Sequence, residues 1–308
     1  MGWRVGVGRQ SSVRILLFGK IGQLGWELQR ALAPLGEILA LDYPEIDLTR
    51  PDGLAGIVHE ARPEVILNAT AYTAVDKAEN EGQIPMAING IAPGIMAEAA
   101  RTVGAALIHF STDYVFNGMK GTTYLESDDP HPLGVYGQSK LAGEQAIQAV
   151  GGAALIFRTS WVYSLRRDSF VTKVLEWGRK QTDLRIVEDQ VSNPTWCRML
   201  AEVTAQLIAK AGKDPAAWLG ERRGLYHLAG SGYASRLEWA REILALDPFK
   251  EEQVVKELQP AATSEFPTPA RRPLFSALNC DRFTETFGLR LPEWRAALKL
   301  AMEELRVA

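Results

Sequence analysis

Val13-Arg-Ile-Leu-Leu-Phe18, followed by Gly19-Lys-Ile-Gly-Gln-Leu-Gly25, is the stretch on which the reading of this chain turns. The first six residues form a nearly unbroken apolar run, suited to a buried strand and far short of the roughly 20 residues a membrane span needs. Three glycines at three-residue spacing then separate that strand from a helix start. In such a loop the first glycine permits a tight turn, the second lets backbone approach a pyrophosphate, and the third lets helix pack closely on strand. The helix N-terminus then faces the anion. With 27 glycines in 308 residues the pattern alone is weak, and its place between strand and helix gives it weight. About twenty residues on, Asp42 ends the next apolar run, Glu37 to Leu41, where its carboxylate can accept from a ribose hydroxyl. Asp42 favours NADH because it repels a 2′-phosphate, whereas Lys20 inside the loop is a partner for that phosphate. NADPH or NADH therefore stand as alternatives.

Working outward, residues 1–12 carry Arg4 and Arg9 but no small-residue cleavage site follows the apolar run, so they are expected to be a disordered extension rather than a signal peptide. Downstream, Leu24, Leu28, Leu32 and Leu35 recur at helical spacing, and Thr49 with Pro51 reads as a capped helix start running to about Ala61. Val65 to Leu67 is a third strand. Helical sequence from Ile84 to Thr102, interrupted by Pro93-Gly94, leads to a strand at Ala106 to Phe110, a helix from Tyr136 to Val150 and a strand at Leu155 to Val162. Nearly all-apolar strands alternating with helices predict an α/β fold, a Rossmann-like doubly wound parallel sheet, with a dinucleotide-binding domain at 13–164. Beyond Ser164 the alternation loosens into helices at Phe170 to Lys180, Arg198 to Ala211 and Ser235 to Leu246. Short strands lie near Arg185 to Val187 and Leu225 to Leu228, a loop spans Gln259 to Pro273, and a last helix runs from Pro292 to Val307. A smaller C-terminal α/β substrate-binding domain, mainly 165–308 and in part interleaved with the first, is the expectation.

Composition narrows the chemistry. Apolar residues at 46% and charged residues at 23% exclude disordered and collagen-like classes. A formal charge of -3 supplies no field to recruit nucleic acid or an anionic membrane, so an anionic ligand must meet a local cluster. The two cysteines, Cys197 and Cys280, and the four histidines show no metal-ligand spacing. No metal and no disulfide are expected, and a reducing cytoplasm is the natural compartment.

Tyr136-Gly-Gln-Ser-Lys140 places a phenol and an ammonium four residues apart on one helix face. A nearby ammonium favours phenolate and moves a phenol toward acid–base work at neutral pH. Chance produces such pairs often enough that position must decide. This pair opens the helix after the strand ending Phe110-Ser-Thr-Asp-Tyr114, and parallel strands present ligands at their carboxyl ends. Thr112 therefore belongs where it shares a carbonyl oxygen with Tyr136.

These residues resemble the extended short-chain dehydrogenase/reductases. Phe18 to Gln29, Asn68 to Glu79, Ser111 to Phe116, Val135 to Glu144 and Arg158 to Tyr163, with Ala270-Arg-Arg-Pro273, Ser276 and Leu278, resemble in that order the dTDP-4-dehydrorhamnose reductase family from Val13 to the end. The resemblance implies reduction of the 4-keto group of dTDP-4-dehydro-β-L-rhamnose by NADPH or NADH, giving dTDP-β-L-rhamnose. It implies Tyr136 as proton donor, Lys140 as the residue that lowers its pKa and holds the nicotinamide ribose, and Thr112 as the partner of the keto oxygen. It places the cofactor on Gly19, Gly22, Gln23, Leu24, Gly25, Asp42, Asp47, Leu48, Ala71, Tyr72 and Thr73, and the substrate on Thr112, Asp113 and Trp161. Arg271 and Arg272 are the local cations suited to a diphosphate. The chain departs from the family at Ile21, where a Thr is frequent, and at Pro93-Gly94. Some relatives dimerise through magnesium held by glutamates. Glu27 fits such a position but Arg198 replaces another, so the expectation is that any homodimer is not bridged by magnesium. Two alternatives share the motifs: a nucleotide-sugar epimerase or dehydratase, and a non-enzymatic NADP-binding subunit like that of methionine adenosyltransferase. A single acid, Asp113, after Thr112 disfavours elimination.

Overall fold

The computed structural model describes residues 13–306, so the extension expected at residues 1–12, and Val307 at the end of the last helix, lie outside the described residues. Six strands form one parallel sheet: β1 (Val13–Phe18), β2 (Gly36–Leu41), β3 (Val65–Asn68), β4 (Ala106–Thr112), β5 (Ala154–Thr159) and β6 (Gly224–His227). Their order is β6-β5-β4-β3-β1-β2. The chain reverses direction across the sheet between β1 and β3, and a crevice opens there beyond the carboxyl ends of the strands.

Period-two geometry explains why both faces are covered. Ile15 and Leu17 of β1 point to one side, where they join Leu67, Ile108 and the leucines Leu24, Leu28 and Leu32 of α1 (Gln23–Leu32). Leu16 and Phe18 point to the other, against Leu54 and Val58 of α2 (Leu54–Ala61) and Met96 and Ala100 of α3 (Ala92–Val103). Ile147 of α4 (Val135–Val150) joins this second layer. A further core gathers Trp239, Trp294 and Tyr163 with α5 (Phe170–Lys180), α7 (Arg236–Leu246) and α8 (Trp294–Glu304). Between them α6 (Cys197–Ala211) lends Leu200, Leu207 and Ile208 to the first layer, and β6 extends the sheet, so both halves of the chain build the central layers.

Three expectations are corrected. Pro93 does not break a helix: a π-helical turn at Met86–Ile91 runs without interruption into α3, and that wider turn accommodates a residue with no N–H to donate. The supposed loop at 259–273 begins as strand, because Glu257–Ala261 pairs in parallel with Asp183–Val187. Thr49 does not cap α2; its hydroxyl donates to Asp47 Oδ1 at 2.6 Å, and a 3₁₀ turn at Pro51–Gly53 precedes the helix.

The helix carrying Tyr136 is set by close backbone packing. A Cβ at Gly143 would stand 2.1 Å from the Asn89 carbonyl oxygen, and one at Gly94 would stand 2.9 Å from the Ala146 Cβ. Gly143→Ala must therefore push α4 off the π turn, at about 1–3 kcal/mol or more. Gly56 in α2 has nothing within 4 Å, and Gly56→Ala is expected to stabilise by about 0.5–1 kcal/mol. Urea denaturation of both variants checks the pair; a Gly143→Ala protein as stable as its parent would show that the helix contact is not tight.

Candidate active site

The carboxyl ends of β1, β3, β4 and β5 open into a cleft of about 1210 Å³, large enough for two nucleotide-sized ligands. At the β1 end each glycine has its own reason. Gly19 takes φ +95, and a Cβ there would stand 2.8 Å from the Ala69 backbone; a Cβ on Gly25 would stand 1.8 Å from the Gly19 carbonyl oxygen. Gly22 precedes α1 with no side chain to cap it, leaving the first-turn amides to the cleft. Gln23 lines the cleft, and its Oε1 is buried without a partner. A bare helix N-terminus, a cradle that a Cβ would fill and an orphaned acceptor are the fittings of a dinucleotide site.

Asp42 lines the same end, but its carboxylate already accepts the amides of Ile21 at 3.0 Å and Tyr43 at 2.8 Å. Lys20 is bound to Glu45 at 2.5 Å, so the cation read as a partner for a phosphate is engaged by a carboxylate. Asp47, Leu48, Ala71 and Thr73 also line the cleft. Tyr72 does not stand with them: its hydroxyl donates to Glu81 Oε2 at 2.5 Å, and its backbone is held by Asn89.

Thr112, Tyr136 and Lys140 are brought together on the cleft wall. The environment of Tyr136 differs from the expectation. Burial pushes the phenol well above its ordinary value, opposed chiefly by the Thr112 hydroxyl. Lys140 Nζ instead donates to the Phe110 carbonyl at 2.6 Å and lies 3.4 Å from His109 Nε2. Burial brings Lys140 down to about 8, with Glu144 opposing. The resting site thus holds Tyr136 as a neutral phenol, the form that can donate a proton.

Asp113 also reaches the cleft, yet it is 2% exposed and its carboxylate accepts from Ser276 at 2.5 Å, Ser192 at 3.0 Å and Thr112 at 3.2 Å. Burial lifts it to about 6 against those three donors. Trp161 lines the cleft at φ +40, stacks on Trp239 at 5.4 Å, and carries the Arg236 guanidinium 3.6 Å from its ring centre. The sequence reading missed Arg236, which lines the cleft and forms no ion pair among the described residues. Arg272, a cation expected there, is instead paired with Asp76 at 2.7 Å, and Arg271 borders only a small side pocket.

Asn89 was missed as well. It is 1% exposed, exchanges hydrogen bonds with the Tyr72 backbone and donates to Ser139 Oγ at 3.0 Å, tying the loop after β3 to α4. No spacing rule marks a lone Asn in a helical run. At the far side, Arg198 donates to Glu27 at 3.1 Å and also pairs with Glu304. Among the described residues no cluster of three metal-ligand side chains occurs, and no helix is long and apolar enough to cross a membrane.

Comparison with known proteins places this geometry in a family. Residues 13–307 match the family model described as the RmlD substrate binding domain. The dTDP-4-dehydrorhamnose reductase of Burkholderia thailandensis is 42% identical over 296 residues, covering 95% of this chain and 99% of that one. The Escherichia coli K12 protein of the same name is 42% identical over 300 residues, covering 95% and 98%. The crystal structure of dTDP-4-dehydrorhamnose reductase from Bacillus anthracis in complex with NADP superposes with a TM-score of 0.86 at 32% identity, over 95% of this chain and 99% of that one. This chain belongs to the dTDP-4-dehydrorhamnose reductase family.

Proposed function

We propose that the protein reduces the 4-keto group of dTDP-4-dehydro-β-L-rhamnose to the alcohol, consuming NADPH or NADH. The observation that carries this reading is the convergence of Thr112, a protonated Tyr136 and Lys140 at the strand ends, in one cleft with a bare helix N-terminus. When bound, the reduced nicotinamide supplies the hydride. The glycine loop and the first turn of α1 would hold its diphosphate, and Asp42 and Asp47 would serve the adenosine ribose. Tyr136 donates to the keto oxygen, joined by Thr112 once its one hydroxyl proton turns from Asp113 to the substrate, and the Tyr136 hydroxyl proton passes to that oxygen as the carbonyl carbon becomes tetrahedral. The Lys140 ammonium stabilises the phenolate left behind.

Trp161 offers its ring to the sugar, and Arg236 is the cation set to meet the substrate's diphosphate, in place of the Arg271 and Arg272 pair. Asp113 supports the site from behind, with its carboxylate given to hydroxyls from the C-terminal segments. Arg198 occupies Glu27, which supports the reading that a homodimer is not bridged by magnesium. Both ligands are soluble phosphorylated metabolites, which suits a cytoplasmic enzyme.

Four outcomes follow. In an assay coupling dTDP-glucose to dehydratase, epimerase and this protein, reduced nicotinamide absorbance is consumed; no loss of absorbance with either cofactor would sink the reductase reading and favour a binding subunit. Tyr136→Phe lowers kcat by roughly 100-fold or more while the cofactor Kd, read by fluorescence, shifts less than about threefold. Arg236→Met raises KM for the sugar nucleotide about 10- to 100-fold with a smaller effect on kcat, as expected when a charged hydrogen bond is removed. Because Lys140 lies near 8, kcat/KM falls as pH rises through that value; a profile flat to pH values near 10 would show that its charge is not needed.

A further inference from the structure

Asn68 ends β3 and is the register partner of His109 in β4, and both are buried, at 1% and 0% exposure. Asn68 Oδ1 accepts from the Thr70 backbone N–H at 3.1 Å and from its hydroxyl at 2.5 Å. A backbone amide can only donate, so this contact fixes which way the Asn68 side chain faces. Its Nδ2 is then the atom 3.0 Å from His109 Nδ1, and Nδ1 must accept. Burial, followed by the Lys140 charge, drives His109 well below its ordinary pKa, so the ring is neutral and its one proton sits on Nε2. That nitrogen is 3.4 Å from Lys140 Nζ. An N–H facing an ammonium is two donors without an acceptor, and the contact is satisfied only when Nζ offers its lone pair.

We propose that His109, held in its Nε2–H tautomer by Asn68, is a positioning residue that sets the protonation state of Lys140 and with it the alkaline limit of the reduction, an inference that rests on the reductase reading above. The groups facing Lys140 divide cleanly. The Phe110 carbonyl of β4 accepts from either form at 2.6 Å. Glu144, one turn along α4, favours the ammonium, but its carboxylate is shared with Arg158 of β5 and Ser111 of β4. Tyr136, one turn earlier, is neutral. His109 is the neighbour that favours the amine by direct contact.

The tautomer is read by ¹⁵N NMR of the full-length protein labelled at its histidines, with His109→Gln to assign the signal. The expected spectrum is a neutral ring protonated on Nε2 from about pH 6 to 9. Asn68→Asp presents a carboxylate to Nδ1, which should move the proton there and turn Nε2 into an acceptor for the ammonium. The alkaline limb of kcat/KM should then rise by about one pH unit or more, in Asn68→Asp and in His109→Gln alike. Wild-type His109 protonated on Nδ1 would overturn the proposal, and so would variants that lose rate equally at every pH with the limb unmoved. The spectrum of the wild-type protein needs no turnover, so failure of the reductase reading and failure of this inference give different results.

Discussion

Arg158 and Glu144 are buried together beneath the cleft, at 4% and 1% side-chain exposure, and their pairing is the constraint on which the site depends. The guanidinium forks onto the carboxylate at 2.6 and 3.0 Å, and the Ser111 hydroxyl completes it at 2.5 Å. Such a pair adds little to net stability, but losing one partner costs about 3–5 kcal/mol because the other charge is left buried alone. Its use here is geometric. Each member of the trio adjoins a residue that lines the cleft: Ser111 precedes Thr112, Arg158 precedes Thr159, and Glu144 lies one turn after Lys140. Two buried charges with one good arrangement fix the rotation of α4 relative to the ends of β4 and β5.

Glycine packing holds the same helix from its other side. Gly143 meets the Asn89 carbonyl, and Gly90 and Gly94 meet Ala142 and Ala146. A π turn at Met86–Ile91 brings Asn89 to the crossing, and from there its amide reaches both Ser139 and the Tyr72 backbone. The loop after β3 and the helix that carries the phenol are thereby tied together, which on the proposed reading keeps donors aimed at a carbonyl oxygen rather than reorganising at each turnover.

Contiguous signals were legible in the sequence. The β1 run, the glycine loop, and the Tyr136 and Lys140 spacing are local, and a helix or strand converts local spacing into a face. What stayed hidden depends on distance along the chain. Asp113 takes its shortest hydrogen bond from Ser276, 163 residues away, and Arg272 finds Asp76 across 196. No pattern near Asp113 announces that its carboxylate is committed, and none near Arg236 announces that its guanidinium is left over. The strand at Glu257–Ala261 was masked by its own Pro260, which an edge position tolerates because the missing N–H is not required there. Pro93 misled for a related reason, since the wider π turn before it accommodates a residue with no N–H to donate.

The distribution of charge resolves how a chain of net charge -3 can receive two anionic ligands in one cleft. Carboxylates gather at one end, where Asp42, Glu45 and Asp47 surround what the proposed reading assigns to a neutral ribose. All three are already engaged: Asp42 accepts the Ile21 and Tyr43 amides, Glu45 pairs with Lys20, and Asp47 accepts the Thr49 amide and hydroxyl. On the same reading the anionic groups fall elsewhere: one diphosphate at the amides opening α1, the other near Arg236. Arg166 and Arg167 link these regions, since both donate to the Ile21 carbonyl of the glycine loop from the segment just before α5, and both line the cleft. Helix amides and stacked guanidinium groups are donors whose charge is placed by the fold rather than by composition. An acidic protein therefore needs no basic surface to bind phosphates, and its overall charge says little about its ligands.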